Sequence, residues 1–138
     1  MDAPDRVLVT DPAAELLARL VARHGPVMFH QSGGCCDGSA PMCYPDGDFI
    51  VGDHDVLLGV LDLENGGAGI EVPVWISGPQ FAAWKHTQLI IDVVPGRGAG
   101  FSLEAPEGMR FLTRSRAFTG DENTLLETVP VITGSLPR

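Results

Sequence analysis

Basic residues are scarce in this chain, long apolar runs are missing, and cysteine occurs only three times. Nine Lys and Arg face 18 Asp and Glu, a formal charge of -9 over 138 residues. A field of that sign repels a nucleic-acid backbone, and the basic side chains of the second half (Lys85, Arg97, Arg110, Arg114, Arg116, Arg138) are spread out rather than clustered. No apolar run approaches the roughly 18 residues needed to cross a bilayer. Met1-Asp2-Ala3-Pro4-Asp5 is acidic where a secretory signal would be basic. The expected setting is therefore the cytoplasm, with neither nucleic acid nor membrane as partner. An odd number of cysteines, two of them adjacent, does not make a paired disulfide framework; reduced thiols fit better.

What is present is a chain long enough for one domain with an ordinary apolar core. Hydrophobic residues make up 44 % and charged residues 20 %, while 17 Gly and 11 Pro are too many for a helical bundle. That composition points to short strands and many turns, an α+β domain that is mostly β. A helix is expected from Asp11, with Asp11 as cap, Pro12 at the first helical position and Ala13, Leu16, Leu17, Leu20 and Val21 on one face. His24-Gly25-Pro26 ends it. Val27–Gln31 reads as a short strand that runs into the cysteine loop, Ser32–Asp48, whose four Gly and two Pro keep it from being regular structure throughout. Val56–Leu63 and Ile70–Ile76, separated by Asn65-Gly66-Gly67, read as a hairpin.

Ser77-Gly78-Pro79-Gln80 has the spacing of a capping box, opening a short second helix with Phe81 and Trp84 inward. Leu89–Val94 and Gly100–Leu103 are expected strands, with Pro95–Ala99 as a turn between them and Met109–Thr113 pairing alongside. Past Gly120 the pattern weakens. The expected organisation is a single domain over residues 1–120 and a loosely attached tail over 121–138.

Chemistry concentrates in Gly33-Gly34-Cys35-Cys36-Asp37-Gly38, backed by Cys43. Thiolate is the soft ligand for iron, copper and zinc and also the protein nucleophile. Flanking glycines let backbone amides come close to a bound sulfur or anion. The competing reading is that a free cysteine is a small buried hydrophobe, which suits a core strand better than a glycine-rich loop. Cys43, seven residues beyond Cys36, either completes a metal site or resolves an oxidised thiol. His30, His54 and His86 are candidate nitrogen donors, His30 being nearest in sequence. No zinc-finger, zincin or Cys-x-x-Cys spacing occurs. Gly96-x-Gly98-x-Gly100 lies between strands, not at a helix start, and is set aside as a dinucleotide fingerprint. Asp53, Asp55, Asp62 and Glu64 read as the solvent face of strands, and Trp75 and Trp84 as core or pocket wall.

Two resemblances follow from these residues. His30-Gln31-Ser32-Gly33-Gly34-Cys35-Cys36-Asp37-Gly38-Ser39 with Pro41-Met42-Cys43-Tyr44 resembles the hallmark of a family of small bacterial proteins encoded beside aldehyde dehydrogenase genes, and the likeness extends over Trp75–Gln88 and Asp92–Leu112. That resemblance names no activity, but the gene neighbourhood implies a helper or maturation factor of the dehydrogenase. A more distant likeness is to the HesB-like A-type iron-sulfur carriers. It rests on Ser32–Gly38, on His86-Thr87-Gln88-Leu89-Ile90-Ile91 and on Gly100-Phe101-Ser102-Leu103, in the carriers' order. It implies a compact twisted sheet with an N-terminal helix and a short second helix. The carriers' C-terminal Cys-Gly-Cys has no counterpart, since no cysteine follows Cys43.

The expected function is that of an accessory protein binding a metal ion or iron-sulfur cluster through Cys35 and Cys36, with Cys43 and His30 as further ligands. A second subunit of a homo-oligomer is one source of the remaining ligands. The alternatives are a thiol enzyme in which Cys35 or Cys36 attacks and Cys43 resolves, and a non-catalytic docking protein for the dehydrogenase.

Overall fold

Thr10, one residue ahead of the expected Asp11, caps the long helix: its Oγ1 accepts from the Ala13 N–H at 3.4 Å. Asp11 instead occupies the first turn, where its charge suits the positive end of the helix dipole. The structure is a computed structural model that describes residues 4–31, 41–45, 51–63, 70–96, 103, 106, 108–129 and 131–133. In chain order its elements are β1 (Val7–Val9), α1 (Asp11–His24), β2 (Val27–Gln31), β3 (Met42–Pro45), β4 (Val56–Leu63), β5 (Ile70–Ile76), α2 (Gly78–Trp84), β6 (Thr87–Pro95), β7 (Met109–Ala117), α3 (Gly120–Leu126) and β8 (Ile132–Thr133). The chain is thus α+β and mostly β, with an N-terminal helix and a short second one.

The strands form two sheets, ordered β1-β6-β7 and β3-β2-β5-β4-β8. Two pairings are parallel, β1 with β6 and β2 with β5; the other pairings are antiparallel, including the expected β4–β5 hairpin. One core lies between the sheets and α1. Ala13, Leu16, Leu17 and Leu20 of α1 meet Val27, Phe29, Val72, Val74 and Ile76 of the larger sheet and Val7, Leu89, Ile91 and Phe111 of the smaller one. Phe29 and Phe111 join the sheets edge to face, centroids 5.0 Å apart and planes at 87°.

A bulge at Leu58 inserts one extra residue into β4. Val56 and Leu61, an odd number of positions apart, are consequently both in the core. Gly59 lies where β4 approaches β1: a Cβ there would be 3.0 Å from Val7 Cγ1. Only a glycine admits that approach without Val7 giving way.

Other local expectations also differ from the structure, among them the loop Ser32–Asp48, which contains β3. β1 has only three residues, too few to carry an alternation, and its pairing with β6 fixes it. The Ser77 side chain makes no capping hydrogen bond, so the expected Ser77/Gln80 box does not form. The residues after Gly120, read as a loose tail, contain α3 and β8. Thr119 and Glu122 form a reciprocal capping box there, Leu126 is buried, and β8 pairs with Val56 and Leu57. The strand expected over Gly100–Leu103 lies, apart from Leu103, outside the described residues. No helix among the described residues is long and apolar enough to cross a membrane.

Candidate functional site

β2 is buried along its whole length, so both of its faces are covered. Successive strand residues point to opposite faces, and the register with the neighbours shows which residues share each face. Phe29 pairs with Cys43 of β3 and Val74 of β5, all on the core side. His30 pairs with Met42 and Trp75, and Trp75 in turn with Leu57. Met42, His30, Trp75 and Leu57 therefore form a row across the face turned away from the core. His30 is 3 % exposed and Trp75 0 %.

Asp55 stands beside the His30 ring, Oδ2 to Nε2 at 3.1 Å. That contact has ion-pair distance without the alignment of a hydrogen bond. Asp55 lies just before β4, at the end of a turn in which its own N–H donates to the Gly52 carbonyl at 3.1 Å. Its Oδ2 also accepts from the Gly52 N–H at 2.8 Å. The carboxylate is thereby fixed by its own turn before it meets the imidazole. Two further contacts fix the turn relative to β2. Ser77 N–H donates to the Gln31 carbonyl at 3.1 Å, tying the start of α2 to the end of β2. Gly78, the first residue of α2, packs so closely on the turn that a Cβ would be 2.7 Å from the His54 carbonyl oxygen.

A carboxylate beside Nε2 favours the tautomer with the proton on Nε2 and the lone pair on Nδ1. Such an imidazole suits two tasks. It is the usual arrangement of a metal-ligating histidine held by an outer carboxylate, and it is also the base that a cysteine nucleophile needs.

The predicted site residues are distributed unevenly around this pair. His30 is central to it. Cys43 is 0 % exposed, within the apolar core on the other side of the sheet, and its carbonyl accepts from the Leu103 N–H at 3.0 Å. Cys35 and Cys36 lie outside the described residues, in the segment that joins Gln31 to Pro41. His54 and His86 are exposed, and His86 Nδ1 is 3.2 Å from Asn123 Oδ1. Among the described residues no three His, Cys, Asp or Glu side chains converge as a metal site. A metal would need the Cys35 and Cys36 thiolates in addition to His30, a donor set of the soft and borderline kind that zinc, copper and iron accept.

Asp55 was missed from the sequence because carboxylates near a strand start read as solvent-facing. Asp62 does face solvent, whereas the Asp55 side chain is 15 % exposed. Its signal was local: Gly52-Asp53-His54-Asp55 is a turn sequence, and an Asp there bonds back to its own turn.

Residues 16–117 match the family described as "Domain of unknown function (DUF779)". The match runs from Leu16 in α1 to Ala117 at the end of β7 and so includes His30, Cys35, Cys36, Cys43 and Asp55. Neither a curated protein nor a solved structure matches the chain.

Proposed function

This chain belongs to the DUF779 family, and from the His30–Asp55 pair within the family segment we propose that it is an accessory protein that binds a metal ion or iron-sulfur cluster. In this reading Cys35 and Cys36 supply thiolates, His30 supplies a nitrogen and Asp55 orients the His30 ring. The observation that carries it is the buried His30 at 3.1 Å from the Asp55 carboxylate, at the strand end from which the chain continues to Cys35-Cys36. Cys43 takes no part, because the β2–β3 register puts it on the core side. Ligands beyond these three come from water, a bound partner or a second copy of the chain.

The sequence resemblance to proteins encoded beside aldehyde dehydrogenase genes supports a role as helper or maturation factor of such a dehydrogenase. The HesB-like motif order supports an iron-sulfur centre over an isolated ion. The test is metal and acid-labile sulfide content after purification without oxygen, in the wild type and in Cys35→Ser/Cys36→Ser. Near-stoichiometric metal that disappears in the variant is expected; negligible metal in both overturns the reading.

The same His–Asp pair favours one second reading. A thiol enzyme would use His30 to take the proton of Cys35 or Cys36, giving a thiolate that attacks an aldehyde, persulfide or disulfide. That reading expects rapid alkylation of one cysteine at neutral pH, slowed by His30→Ala, and no metal.

A further inference from the structure

Away from the His30 face, one small cavity brings together two cationic residues, Arg6 and Lys85, and one carboxylate, Glu127. Arg6, ahead of β1, Lys85 and His86, between α2 and β6, and Asn123, Leu126 and Glu127, from α3 and its C-terminal cap, line a cavity of about 90 Å³. Arg6 is held in place from two sides. Its Nη1 donates to the Lys85 carbonyl at 3.1 Å, and its guanidinium carbon lies 5.1 Å from the centre of the Phe81 ring. The first contact brings the Lys85 backbone against Arg6, and both residues line the cavity.

The contrast with other arginines is informative. Arg114 Nε donates to Asp92 at 2.7 Å, and Arg116 grips both oxygens of Glu122 at 3.0 Å each. Arg6 and Lys85 have no carboxylate partner among the described residues, in a chain with 18 Asp and Glu. Partial burial pushes the Arg6 guanidinium below its ordinary pKa. On the opposite side, the Asn123 carboxamide oxygen sits 3.2 Å from His86 Nδ1. An amide oxygen only accepts, so Nδ1 carries the proton and Nε2 remains the ring's second polar atom.

We propose that this cavity binds a phosphate-sized oxyanion, inorganic phosphate or the phosphomonoester end of a small molecule, through Arg6, Lys85 and His86. Arg6 and Lys85 donate to the oxygens of a tetrahedral anion, and His86 Nε2, the ring's accepting nitrogen, takes a hydrogen bond from a protonated oxygen of the same group. A volume of about 90 Å³ holds the anionic group alone, with any organic remainder outside. Glu127 on the same wall opposes additional negative charge, which disfavours di- and triphosphates. Arg6, Asn123, Leu126 and Glu127 lie outside residues 16–117, so the pocket is completed by parts of this chain beyond the family segment.

The test follows the His86 ring resonances by NMR at pH 7 and constant ionic strength, while inorganic phosphate or phenyl phosphate is added to the full chain. A saturable shift is expected, with the apparent Kd weakened at least tenfold in Lys85→Gln and in Arg6→Gln. Arg6 also packs on Phe81, so the exposed Lys85 is the deciding variant; its fold is checked from the dispersion of the same spectra. Saturation by both ligands assigns recognition to the phosphate group, and saturation by phenyl phosphate alone assigns it to a phosphomonoester. A linear, non-saturating response to both, or a Kd unchanged in Lys85→Gln, overturns the proposal.

Discussion

Cys43 and His30 leave the larger sheet on opposite faces. Cys43 lies across from Phe29 in the core, while His30, the next residue along β2, lies across from Met42 and Trp75 on the outer side. A single ion cannot be shared by two side chains separated by a sheet. The register of one strand pair thus separates Cys43 from His30.

Asp55→Asn keeps the shape of the turn residue and removes its charge. If Asp55 orients His30 for a metal, the variant weakens metal affinity by roughly 10- to 100-fold, the usual effect of losing an outer partner. Competition with a chromophoric chelator measures it. Affinity equal to wild type would leave the pair with a structural role only.

Gly78→Ala places a methyl group 2.7 Å from the His54 carbonyl oxygen. Either α2 or the Gly52–Asp55 turn must shift, and overpacking of this kind costs on the order of 1–3 kcal/mol. Because that turn carries Asp55, lower stability in urea and weaker metal binding are expected together. Loss of stability with unchanged metal affinity would show that α2, not the turn, yields.

Gly59→Val should also destabilise, by on the order of 1–3 kcal/mol, because Val7 Cγ1 stands 3.0 Å from the position of the new Cβ. Val7→Ala in the same chain makes room. The double variant is therefore expected to be more stable than the sum of the single effects, a coupling that urea unfolding of all four proteins measures. Strict additivity would mean that β1 and β4 do not meet there.

Acid stability has a defined window. Hydrogen bonds from Arg116, and next from the Thr119 N–H, hold Glu122 down from its usual 4.5 to about 2. Arg114, and next the Val93 N–H, lower Asp92 as well. A folded value below the unfolded one means that the stabilisation is complete above about pH 4.5 and is lost as pH falls toward 2. The urea midpoint of the wild type should fall more steeply over that interval than that of Glu122→Gln. Parallel curves would contradict the Arg116–Glu122 contribution.

Elements with a strong repeating pattern were legible in the sequence. The apolar face of α1 and the two runs flanking Asn65-Gly66-Gly67 come from side-chain periodicity, which is a local property, and the structure has both. What was not legible depends on partners distant in the chain. β1 is fixed by β6, some eighty residues on, and β8 by β4. Thr119-x-x-Glu122 carries the capping signal of α3, but the apolar pattern that follows it is too short to mark a helix on its own. At the site, His30 was a candidate from its place beside the cysteine loop. Its facing, its separation from Cys43 and its pairing with Asp55 all follow from strand register, which a single sequence does not print.

The account turns on which residues hold a metal, and one comparison tests it most directly. Metal and acid-labile sulfide per chain are measured after purification without oxygen for the wild type, Cys35→Ser/Cys36→Ser, His30→Ala and Cys43→Ser. The account predicts near-stoichiometric metal in the wild type and in Cys43→Ser, and its loss from the other two. Negligible metal in the wild type, or metal retained without Cys35 and Cys36, would contradict it.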